Sequence, residues 1–189
     1  MTIRHVICIV ATLAALTACV RGRTAHVEPH ESAPESEAVV SEKNGICVLQ
    51  STSGSQVTGV VRFHDQDGVM IINVTVNGLL PGSKHAMHIH ELGDMRAADG
   101  SSVGGHYNPA GHEHGGPGSK EHHAGDLGNI AADGAGEARV EIRVDDMELG
   151  EILGRSVVIH ANEDDLTSQP AGNAGPRIGV GVIGLAKTE

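Results

Sequence analysis

Eight short apolar or alternating segments, each ended by turn-forming residues, limit what this chain can fold into. They occur at 46–51, 56–64, 69–78, 84–91, 126–132, 137–144, 156–160 and 178–185. Stretches such as HDQDG, NGLLPG and ADGAG separate them, and residues of this kind favour tight turns. No segment carries a long helical period. The pattern predicts an all-β protein, an antiparallel sandwich or a Greek-key β-barrel.

Two connections are much longer than the rest, at about 92–125 and 161–177. Loops of this length in a compact domain are usually functional. The glycine-rich GVGVIG at 179–184 matches a dinucleotide-binding fingerprint, but only five residues follow Gly184. Because that fingerprint needs a helix after it, we interpret the stretch as a last strand.

The composition restricts both the core and the partners. With one Phe, one Tyr and no Trp, the core must consist of Val, Ile, Leu and Ala. A net charge of -11 argues against nucleic acid, which requires basic patches, and the scarcity of aromatic rings argues against single strands. Thirteen histidines in an acidic chain indicate metal binding.

The N-terminal region predicts export. A basic start and a short apolar run fill residues 1–18, and LTAC at 16–19 resembles the lipobox of bacterial lipoproteins. The resemblance implies cleavage before Cys19 and a lipid on its thiol, and Val20 favours the outer membrane. The alternative is an ordinary secretory signal with a chance cysteine. Residues 19–43 predict a flexible tether, and 44–189 the globular domain.

The segment MHIH places His88 and His90 one residue apart in a predicted strand. Side chains alternate along a strand, so both imidazoles point to one face and can bind one metal ion.

The long loop GGHYNPAGHEHGGPGSKEHHAGDLGN, with MHIHELGD, SVVIHANEDD and GNAGPRIGVGVIG, closely resembles the copper,zinc superoxide dismutase family. The resemblance covers 44–186 and implies a flattened eight-stranded Greek-key β-barrel. It implies copper ligands His88, His90, His106 and His160. It implies zinc ligands His106, His114, His123 and Asp126. It further implies that His106 bridges the metals, that Asp164 links a copper ligand to a zinc ligand, and that Arg177 attracts an anion.

Other histidines compete for these positions or lie near them. His112 and His122 neighbour the zinc ligands, so an error in register could exchange them. The family spacing favours His114 and His123. His64 and His85 are expected at the surface or in turns.

The implied activity is disproportionation of superoxide to dioxygen and hydrogen peroxide by a homodimer or a monomer, with copper as the redox metal and zinc as a structural one. Only a lipid on Cys19 would contact a membrane. A non-enzymatic copper or zinc carrier on the same scaffold is the main alternative, and a structural envelope lipoprotein is a further one. The second loop lacks the lysines with which many members guide superoxide, which leaves steering to other groups such as Lys120.

One family feature is absent from the sequence. Most members join the metal loop to the last strand by a disulfide, but the stretch Met95 to Gly105 contains no cysteine and the last strand carries Val180. Cys47 is expected to be a buried free thiol. Zinc is therefore expected to hold the loop.

Overall fold

Eight strands form one antiparallel sheet that curls into a nearly closed barrel. The computed structural model describes residues 44–52 and 54–187. The predicted signal segment 1–18, Cys19 and the tether up to residue 43 lie outside this range. The strands are β1 Asn44–Ser51, β2 Thr58–Gln66, β3 Val69–Asn77, β4 Lys84–His90, β5 Asp126–Ala131, β6 Ala138–Asp145, β7 Ser156–His160 and β8 Arg177–Leu185.

All eight predicted strands are confirmed, with ends displaced by at most two residues. A single 3-10 turn, Ser101–Val103, lies in the first long loop, and a one-turn helix, α1 (Leu149–Ile152), precedes β7. No helix in the described range is long and apolar enough to cross a membrane. GVGVIG lies within β8, as its position near the chain end predicts.

The strands are ordered β5-β4-β7-β8-β1-β2-β3-β6. β3 pairs with β6 and β4 pairs with β7, so two connections cross between strands that are not consecutive, as in a Greek key. β5 and β6, at the two ends of this order, lie side by side without a hydrogen-bonded ladder. The barrel is therefore nearly closed.

The barrel interior is aliphatic, as the composition predicts. Phe63 is the one phenylalanine there, and Met87 and Ile89 of β4 belong to the same core. Cys47 is also in this core, fully buried and free, as expected. Six consecutive residues of β4 are buried, from His85 to His90. Because β4 is buried on both faces, other parts of the chain must pack on each face. The core packs on one face, and the loops pack on the other.

Candidate metal centre

The outer face of β4 and the end of β7 carry the first group of histidines. His88 and His90 lie on β4, and His160 is the last residue of β7. His106 reaches them from the long loop, which forms a local β-bridge between His90 and His106. One ring nitrogen from each of the four lies within 4.8 Å of the others. His90 Nε2 and His160 Nε2 are 3.3 Å apart, close enough to share an ion.

A second group lies directly beside the first. It comprises His106, His114, His123 and Asp126. His106 Nδ1 is 2.7 Å from Asp126 Oδ1 and 3.3 Å from His123 Nδ1. His114 Nδ1 is 3.0 Å from Asp126 Oδ2. Tetrahedral zinc with ligand bonds of about 2.0–2.1 Å requires its ligand atoms to lie ~3.3 Å apart, and this group approaches that spacing.

His106 belongs to both groups. Its Nδ1 faces the carboxylate of the second group, which leaves Nε2 for the first. Nε2 is buried and has no hydrogen-bond partner within the described residues, and the same is true of His88 Nδ1 and of His114 Nδ1, whose 3.0 Å contact with Asp126 lacks hydrogen-bond geometry. Buried polar atoms are rarely left unpaired. Three unpaired imidazole nitrogens directed into ligand groups fit two metal ions.

The remaining nitrogen of most rings is fixed by a hydrogen bond. Asp164 accepts one from His88 Nε2 at 2.7 Å and another from His114 Nε2 at 2.9 Å, so one carboxylate joins the two groups. His90 Nδ1 donates to the Gly104 carbonyl at 2.9 Å. Such partners determine which nitrogen carries the proton and hold the ring in place.

The ionisation states suit metal binding. Burial lowers the pKa of His90 to about 2 and that of His160 to about 3. Burial also lowers the pKa of His88 and of His123. For Asp126, burial opposes ionisation, but hydrogen bonds from His106 and the Gly115 N–H outweigh it and hold the pKa below its usual range. Near neutral pH these rings are neutral and the carboxylate is ionised, as metal ligands must be.

Arg177 is the first residue of β8 and lies beside the first group, which contains the predicted copper ligands. It lines an open cleft together with His90, His106 and His160. Its Nη2 donates to the Gly104 carbonyl at 2.7 Å, and its Nε is buried with no partner among the described residues. The cleft thus contains a fixed positive charge next to the copper ligands.

The other histidines of the described range do not join either group. His112 and His122 line a separate cavity, where His112 Nδ1 is 3.3 Å from the His122 carbonyl, and Lys120 lines the same cavity. His64 is exposed, as predicted. The prediction for His85 was wrong, because His85 is only 5% exposed. Its Nδ1 is 2.8 Å from the His160 carbonyl, so it packs behind a copper ligand.

Several contributors to the site are absent from the sequence prediction. The carbonyls of Gly104 and Gly175 hold His90 and His160. The Asn129 side chain bonds the backbone of Asp164 through both its oxygen and its nitrogen. Its place in the motif DLGN is a signal that could have identified it. The backbone carbonyls could not have been predicted, because every residue has one and the residue type does not indicate its role.

Comparison with known proteins agrees with this geometry. The family model described as copper/zinc superoxide dismutase matches residues 57–183. A superoxide dismutase [Cu-Zn] of Paramecium bursaria Chlorella virus 1 is 45% identical over 159 residues, which is 79% of this chain and 82% of that protein. An extracellular superoxide dismutase [Cu-Zn] of Onchocerca volvulus is 40% identical over 158 residues, 76% of this chain and 77% of that protein.

A third relative has a different name. The copper chaperone for superoxide dismutase of Rattus norvegicus is 38% identical over 146 residues, 74% of this chain and 53% of that protein. Sequence likeness alone does not say whether both metal sites are complete in this chain. The geometry does, because both ligand groups are present and share His106. Four imidazoles suit Cu(II), and three imidazoles with one carboxylate suit zinc. The chain belongs to the copper,zinc superoxide dismutase family.

Proposed function

We propose that this protein disproportionates superoxide to dioxygen and hydrogen peroxide in the cell envelope. The observation that carries the proposal is the pair of complete ligand groups joined through His106, beside an open cleft. Bound copper supplies the one-electron couple that the side chains lack, and zinc holds the loop. The test is superoxide consumption by the purified, metal-loaded protein. Full loading of both metals without activity contradicts the proposal.

We assign proton transfer to His106. Its Nδ1 is engaged on the zinc side, and its Nε2 faces the copper group without a hydrogen-bond partner in the described part of the chain. Nε2 is therefore the atom that can hold a proton and deliver it to a reduced substrate in the cleft. The ring would keep its position during the transfer because its Nδ1 lies in the zinc group beside Asp126 and would be held there by the ion.

We assign attraction of the anionic substrate to Arg177. Its guanidinium is held at the cleft by the Gly104 carbonyl and keeps a permanent positive charge. A cleft with low-dielectric walls concentrates the local field, so the excess of acidic residues elsewhere does not cancel this attraction. Asp164, which joins the two groups, is assigned the orientation of His88 and His114.

Replacement of Arg177 tests its role. Arg177→Ala should keep both metals and lower the rate, and Arg177→Lys should recover part of it, because the charge returns without the planar fork. Added salt should slow the wild-type enzyme through screening of the same charge. Unchanged activity in Arg177→Ala removes this residue from the mechanism.

A copper carrier on the same scaffold is the second candidate, supported by the relative named as a copper chaperone. A carrier must release copper to a partner, whereas here four nitrogens and fixed rings surround the copper position. Transfer of copper to an apo-protein, measured beside superoxide consumption, separates the two functions. Transfer without activity favours the carrier.

We also propose that the chain is an exported lipoprotein of the bacterial type that lacks the family disulfide. In this proposal residues 1–18 are removed, Cys19 carries the lipid, 19–43 tether the domain 44–189, and the protein faces the periplasm from the outer membrane. A relative named as extracellular supports export. Cys19→Ser should abolish lipid attachment, measured by labelling with a radioactive fatty acid and by cell fractionation. A wild type that is entirely soluble contradicts the anchor.

A further inference from the structure

A small apolar cluster lies outside the barrel core, under the first long loop. It consists of Val103, Val158 and Val180, and none of the three has exposed surface. Val158 and Val180 are cross-strand partners on β7 and β8, and Val158 is also the partner of the copper ligand His88 on β4. Directly paired residues point to the same face of a sheet. The valine cluster and the copper ligands therefore share the outer face of the barrel.

Val103 directly precedes the peptide that holds two groups of the site. The Gly104 carbonyl is 2.9 Å from His90 Nδ1 and 2.7 Å from Arg177 Nη2. The Val103 carbonyl in turn accepts a hydrogen bond from the Leu92 N–H at 3.0 Å, just after β4. The position of this one turn thus determines the orientation of both a copper ligand and the arginine.

The loop backbone also lies close to the strand beneath it. A Cβ at Gly100 would lie 2.9 Å from Val180 Cγ2 and 3.2 Å from Arg177 Cδ. The stretch 95–105 contains no cysteine. Packing of the valine cluster therefore attaches it to β7 and β8, together with the hydrogen bond from Arg177 to the Gly104 carbonyl.

We propose that Val103 is a positioning residue of the superoxide reaction. Its packing against Val158 and Val180 fixes the Gly104 carbonyl, and through that oxygen the ring of His90 and the guanidinium of Arg177. The second of these effects rests on the function proposed for the arginine, and the first does not. Truncation to alanine leaves a cavity under the turn and lets the carbonyl shift. A displacement of about 1 Å from a distant substitution can cost ~100-fold in rate.

The test compares Val103→Ala with Val61→Ala, the same truncation of a fully buried valine in the barrel core. We expect Val103→Ala to retain both metals, to lose about tenfold in kcat/KM and to show altered EPR parameters of bound Cu(II), since the His90 ring turns. Val61→Ala should lose stability but keep the wild-type spectrum and the wild-type rate per copper. Val103→Ile, which keeps a branched side chain under the turn, should retain most of the wild-type kcat/KM and a spectrum close to that of the wild type.

A wild-type EPR spectrum in Val103→Ala overturns the proposal, whatever the rate. The spectrum also separates this proposal from the role of Arg177. If Arg177→Ala keeps full activity while Val103→Ala still alters the spectrum, only the arginine role fails. If Val103→Ala gives no folded protein, Val180→Ala removes the same contact from the strand side. A wild-type spectrum in that variant likewise overturns the proposal.

Discussion

Replacement of Gly172 by alanine tests how the zinc ligands are held. Gly172 has a φ of +62°. A Cβ there would overlap Asp164 Oδ1 and lie 2.7 Å from His114 Nε2. Asp164 is not free to retreat, because its other oxygen is 2.7 Å from His88 Nε2. The new methyl group must therefore break the hydrogen bond between Asp164 and His114.

Two separate costs are expected in Gly172→Ala. The left-handed backbone costs an alanine about 1–2 kcal/mol of folding free energy. Loss of the Asp164 hydrogen bond releases the His114 ring, and loss of such a partner reduces metal affinity by about 10–100-fold. That reduction corresponds to about 1.4–2.7 kcal/mol of zinc-binding free energy.

The assay is zinc affinity by chelator competition, with Gly82→Ala as the control. Gly82 has a φ of +74° and open space at its Cβ position, so its substitution carries the backbone cost alone. We expect Gly82→Ala to lower the melting temperature and leave zinc affinity unchanged. Gly172→Ala should lose about 10–100-fold in zinc affinity. Equal zinc affinities in the two variants would refute this account of the site.

Four further predictions follow from the same geometry. His106→Ala should lower the content of both metals, whereas His114→Ala should mainly lower zinc; unchanged metal analysis in His106→Ala contradicts the shared ligand. A thiol reductant too dilute to strip metal should leave melting temperature and activity unchanged, while zinc removal should lower both. In a separate measurement without reductant, Cys47, whose pKa burial raises to about 12, should react with thiol reagents only after unfolding. The metal-free protein should lose stability as pH falls below 6.5. In the unfolded chain His90 and His160 then bind protons, whereas in the folded protein their pKa values are lowered to about 2 and about 3 and they stay neutral, so protonation favours unfolding. A flat stability profile between pH 7 and 4 contradicts that burial.

The strands and the ligands were predictable from sequence for different reasons. Strand alternation is a local property, so β4 was located from the run KHAMHIHE alone. The ligand groups combine residues up to 72 positions apart, such as His88 and His160, and no local pattern joins them. Their assignment came from ordered motifs that resemble a family. The geometry then confirmed both groups.

What the sequence did not predict depends on packing between distant segments. His85 resembles a surface histidine locally, yet it is buried, and its ring bonds the His160 carbonyl. The Gly104 carbonyl acts through a backbone atom that every residue has. Barrel closure at β5 and β6 was expected only from the family resemblance, because it follows from the twist of the whole sheet, which is not encoded in either strand.

The histidine shared by both ligand groups links the two metal affinities. His106 serves both groups, so the ion that binds first already orders its ring, and the second ion loses less conformational entropy on binding. Two effects instead weaken binding of the second ion: His106 must give up its remaining ring proton, and the two ions repel each other. Whatever the balance, equilibrium thermodynamics requires reciprocity. The factor by which copper changes the zinc dissociation constant must equal the factor by which zinc changes that of copper. The two sites therefore form one thermodynamic cycle, in which three measured affinities fix the fourth.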